Sequence, residues 1–120
     1  PGMDRLLESA GVSDEQRAQV RAITDAARAD LKALHEGGAP LHEQARALFT
    51  QPNVDANAAE ALRQQMLAQH DRASQRMMQA MLDISRVLTP EQRAQIADQM
   101  TQRREQMRQR HGERRQRHGG

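Results

Sequence analysis

The residues of this sequence best equipped for chemistry are its five histidines and seven methionines. His35, His42, His70, His111 and His118 are possible metal ligands. A zinc centre needs three or four donors that converge, and on a helix two of them usually come as a His-x-x-x-His pair. No such pair is present, there is no Cys, and no cluster of carboxylates accompanies any of the histidines. His35 and His42 straddle Gly37-Gly38-Ala39-Pro40, which reads as a break between helices. His111 and His118 flank "GERRQR" near the end. No metal site and no cofactor are therefore expected. His35, His42, His111 and His118 are the side chains that could hold zinc loosely. Catalysis is not expected either: the chain has no nucleophile beside a base, no phosphate-binding loop and no His–carboxylate arrangement.

The methionines carry softer chemistry. A thioether on three rotatable bonds fills irregular gaps or adapts to many partners. Met66, Met77, Met78 and Met81 fall within one long helical pattern. For Met77 the sequence favours core packing.

The elements that position these residues must all be helices. The chain has 120 residues, enough for one domain, with 37% hydrophobic residues but only 1% aromatic. Mean hydropathy is −0.93. Ala, Gln, Arg, Glu, Leu and Met dominate, and all are good helix formers. With so few bulky side chains, the reading is a thin, helix-rich fold that gains by pairing with a second copy. No run of 18 apolar residues exists, so no membrane insertion is expected. Pro1-Gly2 reads as a cloning scar. Without Cys there is no disulfide framework. The charge is uneven: residues 102–120 hold seven Arg against two Glu, although the whole chain carries only +2.

Along the chain, Met3 to Ala10 can form a short helical turn carrying Leu6 and Leu7, which Gly11 breaks. Val20, Ile23, Ala27, Leu31 and Leu34 then mark one face of a helix that Gly37-Gly38 ends. Pro40 opens a second helix with Leu41, Ala45, Leu48 and Phe49, ended by Gln51-Pro52-Asn53. Asp55 caps a third, running to Leu88 over roughly 50 Å. In it, Met66, His70, Ala73, Met77, Ala80, Ile84 and Val87 form a seam of alternating 4 and 3 spacings. Leu62, Leu67, Met78, Met81, Leu82 and Leu88 lie off that seam, so this helix has two apolar faces and reads as having two partners. A fourth helix with Ile96, Met100 and Met107 dissolves into an Arg-rich, disordered tail over residues 106–120. That tail has no aromatic residues for stacking, so no specific nucleic-acid partner is expected.

Two helix starts are written with emphasis. In Leu88-Thr89-Pro90-Glu91-Gln92, Thr89 caps, Pro90 takes the first helical position, Glu91 suits the positive dipole end, and Gln92 reaches back to close a capping box. Leu88 is placed to staple onto the new helix. Val12-Ser13-Asp14-Glu15-Gln16 repeats the device with Val12 in the Leu place, Ser13 as cap and Gln16 closing the box.

These two starts, "LTPEQ" and a degenerate "VSDEQ" bracketing a long Gln/Met-rich helix and a "HEQARALF" segment, resemble the LTxxQ-motif family of Spy and CpxP, with the Spy-like layout the nearer. The resemblance covers roughly residues 4–105, giving a helical domain over 3–105. It implies an all-α fold: a four-helix, hairpin-like subunit with one long central helix, assembled as an antiparallel, cradle-shaped homodimer. It implies periplasmic residence after removal of a signal peptide. It also implies an ATP-independent chaperone that binds unfolded or partly folded proteins on a concave basic and apolar surface. On that surface the resemblance places Met66 and Met78, with Leu7, Val20, Phe49 and Ile96 as further lining residues. Arg28, Lys32, Arg46, Arg63 and Arg72 are the cations that would draw clients in at long range, of which Arg28, Lys32 and Arg46 are taken into the site. Family alternatives are a CpxP-like inhibitor of an envelope-stress sensor kinase and a ZraP- or CnrX-like metal-responsive sensor, with weak zinc binding.

Overall fold

The computed structural model describes residues 2–119, with side chains over 2–114. Four α-helices follow one another: α1 (Gly2–Ser9), α2 (Asp14–Phe49), α3 (Ala56–Val87) and α4 (Pro90–Gly119), with no strand among the described residues. The chain divides into two compact units. One holds the described residues up to Val20 together with Ser85 onward; the other is Arg21–Ile84.

In the first unit, α1 ends on Gly11, whose φ of 73° is the left-handed conformation that favours glycine. Gly11 N–H donates to Glu8 O and Val12 N–H to Leu7 O, both at 3.1 Å, the paired bonds of a Schellman cap. The matching apolar contact is supplied by Leu7 and Val12, both buried. Both expected capping boxes form. Ser13 Oγ accepts from Gln16 N–H at 3.1 Å while Gln16 Oε1 accepts from Ser13 N–H at 2.9 Å. Thr89 and Gln92 do the same at 3.2 and 3.0 Å.

The two boxes also lock to each other. Gln16 Nε2 donates to Gln92 Oε1 at 3.0 Å and to Val87 O at 3.0 Å. Gln92 Nε2 donates to Gln16 Oε1 and to Gly11 O, each at 3.2 Å. Each amide thus spends both protons and both lone pairs, and the arrangement is near-symmetric: each Gln reaches the carbonyl two residues before the other's cap. Leu6, Leu7, Ala10, Val12, Val20 and Leu88 are buried in this unit, and α1 packs against α4. Arg17 adds an ion pair to Glu8 at 2.7 Å and another to Asp14. Asp14 first and Glu8 second hold its guanidinium above its ordinary pKa.

The second unit is an antiparallel pair of helices, α2 from Arg21 and α3 to Ile84. Asp55 Oδ1 caps α3 by accepting from Asn57 N–H at 2.9 Å. Arg76 Nε donates to Asp30 Oδ2 at 2.6 Å, and the Gln69 amide donates to Leu34 O. Its buried side chains are Ala27, Leu62 and Ala80, so two of the three close contacts are made by small groups, and larger apolar residues such as Leu67, Met77, Met78, Met81 and Leu82 stay exposed. At the start of α3, Arg63 Nε donates to Glu60 Oε2 at 2.8 Å and holds the exposed Glu60 carboxyl below its ordinary pKa.

Three expectations from sequence are corrected. Gly37-Gly38 and Pro40 do not separate two helices: α2 runs through them for 36 residues, which makes it longer than the 32-residue α3. The four helices are therefore partitioned differently, with the expected N-terminal turn counting as α1. Among the described residues only Gly11 has positive φ, so Gly37 and Gly38 keep helical backbone. Proline's fixed φ also fits a helix, and the cost is the lost bond to the Glu36 carbonyl together with crowding of that carbonyl by the ring. Packing against α3 offsets that loss, because Gly38 is buried under the Gln69 amide where a Cβ would overlap it. Second, Met77 is 55% exposed and is not core. Third, the chain beyond residue 105 does not dissolve: α4 stays helical to Gly119, carried by Gln, Arg and Glu, whose own helix propensity is high.

Continuity of α2 has a measurable consequence. Gly37 has open space around its Cα. Gly37→Ala is expected to raise stability by about 0.5–1 kcal/mol in urea melts followed by circular dichroism. Gly38→Ala is expected to gain less, because the Cβ displaces Gln69. A loss of stability in Gly37→Ala would mean a broken helix.

Candidate functional site

The side chains singled out by sequence fall into three environments. Leu7 and Val20 are 3% and 1% exposed and form the interior of the first unit. They correct the expectation of a client-lining role: each is consumed by the contacts among α1, α2 and α4 that hold that unit. Ile96 is half-buried on α4. Arg28, Lys32, Arg46, Phe49, Met66 and Met78 are exposed, all in the second unit, and Phe49 stands 63% exposed at the end of α2.

Within the second unit these residues sort by face. Because α2 is unbroken, Arg28, Lys32, His35, Ala39, His42 and Arg46 recur at spacings of 4, 3, 4, 3 and 4, a single stripe along one flank of the helix. On α3, Met66, His70, Met77 and Met81 recur at 4, 7 and 4. The two stripes open on the same side. His35 and His42 from α2 line one cavity of about 520 Å³ with Met66, Gln69 and His70 from α3, floored by Leu31, Leu34, Leu41 and Ala73. The opposite side of the pair carries Asp30, Gln75, Arg76 and Arg72, so Arg72 is separated from the other cations.

One face of this unit therefore pairs a cationic and imidazole flank with a thioether flank. Leu67, Met78 and Leu82 continue the apolar surface further around α3, each between 46% and 55% exposed. Such a surface can attract an anionic chain at long range and repack against apolar groups at short range. Sequence reasoning did not join His35 to His42, because the assumed break hid their seven-residue spacing. Nor did it join either of them to His70, whose proximity depends on the register of α2 against α3.

Among the described residues, no three His, Cys, Asp or Glu side chains are placed to hold one metal ion. His111 is exposed on α4, and His118 lies outside the described side chains. Among the described residues, no helix is long and apolar enough to cross a membrane. No buried side-chain nitrogen or oxygen among them lacks a hydrogen-bond partner, so no orphaned polar group points to a missing ligand.

A protein-family model described as LTXXQ motif family protein matches residues 2–100. No curated protein and no solved structure matches the chain. Both glutamine-closed helix starts and the amide lock between them lie inside the matched span, and the chain belongs to the LTXXQ motif family.

Proposed function

We propose that this protein is a periplasmic, ATP-independent chaperone of the Spy type that holds unfolded or partly folded proteins and suppresses their aggregation. The observation that carries this reading is the face of the second unit on which Arg28, Lys32, His35, His42 and Arg46 run beside Met66, His70, Met77 and Met81. Met77 and Met81 are 55% and 57% exposed in a chain whose only aromatic residue is Phe49. Flexible thioethers tolerate varied client side chains, and cations speed encounter without fixing a sequence. No step requires a nucleotide or a catalytic group. The chaperone works as a homodimer clasped along α3, whose apolar arc is wide enough to serve a second copy and a client.

The test is suppression of aggregation of a reduced or heated client at near-stoichiometric ratio, without nucleotide. The parent chain is expected to suppress. Met77→Ser with Met81→Ser is expected to lose most of that activity while keeping the parent's melting temperature, since both side chains are exposed. Absence of suppression in the parent, with tight binding to a single sensor-kinase domain, would instead make this a CpxP-like inhibitor. A change of helicity or oligomeric state on adding zinc or nickel would favour a metal-responsive sensor.

A further inference from the structure

The last part of α4 carries a charge pattern that the client-binding reading does not use. From residue 102 to 114 every Arg falls on one half of the helix, and every Gln and Glu falls on the other. Met100 and Met107 sit along the middle of the Arg half, seven residues apart, with Met107 65% exposed. Arg110 and Arg114 flank them on one side, and Arg104 and Arg108 on the other, all exposed. Arg103 lies beside Gly2 of α1 and is left out of the argument.

We propose that this face of α4 docks on an anionic phospholipid surface. The helix would lie parallel to the surface, with the two thioethers against the acyl boundary and the guanidinium groups on lipid phosphates. Three features favour lipid. The cations here are Arg without Lys, and a planar fork matches a phosphate better than a point charge does. An apolar centre flanked on both sides by long cationic stems is the arrangement of an interfacial helix, whose stems reach outward while the centre sinks. A nucleic-acid surface would have no use for a thioether centre, and the face has no aromatic residue on which a base could stack. With only two apolar anchors, attachment is mainly electrostatic and reversible. It demands anionic lipid and weakens as salt rises.

Co-sedimentation of the full chain with vesicles tests this. Binding is expected to phosphatidylcholine vesicles containing phosphatidylglycerol, and not to pure phosphatidylcholine. It should be lost on raising salt from low to about half-molar. Each of R104Q, R108Q, R110Q and R114Q is expected to weaken partition about fivefold, with unchanged helicity and melting temperature. M107S should weaken it further, by removing an anchor. No binding to anionic vesicles would overturn the proposal. So would binding unaffected by M107S together with tighter binding to duplex DNA at the same salt, which would assign the face to nucleic acid.

Discussion

A Gln92→Ala chain is expected to be less stable than the parent by about 2–4 kcal/mol. Part of this is ordinary capping: the Thr89 N–H loses its acceptor and α4 loses half of its box, about 1 kcal/mol. The larger part comes from the groups left behind. Gly11 O also loses the Gln92 amide as a donor, but it is exposed and water can replace that bond. The part-buried Gln16 loses both an acceptor and a donor. Unsatisfied groups of this kind cost about 1–3 kcal/mol each when water cannot reach them. Gln92→Glu should be nearly as damaging, because a carboxylate can still accept from Thr89 N–H but cannot donate to Gly11 O or Gln16 Oε1. A double-mutant cycle with Gln16→Ala decides the matter, with denaturant melts as the measure. Once one amide is gone, the second substitution should cost about 1–2 kcal/mol less than it does alone. Losses that simply add would mean two independent caps and no lock.

Leu7→Ala is the second large effect, also about 2–4 kcal/mol. Leu7 is 3% exposed beneath the Schellman turn and packs in the interior that Val20 and Leu88 complete. Truncation leaves a void there that the helices can only partly close, so the lost burial and the cavity both count. Met78→Ala, at an exposed position on α3, should change stability by less than about 0.5 kcal/mol. The contrast separates a core residue from a surface one. If Leu7→Ala melted with the parent but lost client binding, the placement of α1 would be wrong.

Much of this protein was legible because the controlling interactions are local. Ser13 and Gln16, Thr89 and Gln92, and Asp55 with Asn57 act within two or three residues, so side-chain type and spacing suffice to place the starts of α2, α3 and α4. The Schellman turn at Gly11 is nearly as local: its reach is five residues, and its signal is one glycine. The scarcity of aromatic residues likewise made an all-helical, lean fold readable from composition alone.

The tertiary structure decided what depends on partners distant in sequence. Gln16 meets Gln92 across 76 positions, and nothing in either motif announces the other. Gly37-Gly38-Ala39-Pro40 is a helix end by local preference, yet it stays helical because Gly38 admits the Gln69 side chain to the carbonyl of Leu34. That continuity, in turn, brings His35, His42 and the flanking cations onto one stripe opposite Met66 and His70. Leu7 and Met77 were assigned to the wrong sides of the surface for a related reason. An apolar residue on a helix face is equally consistent with core and with solvent until the neighbouring helix is in place, and in a fold this poor in bulky side chains many such residues remain uncovered. Local hydrogen-bond geometry is written in adjacent residues; burial is a property of what packs against them.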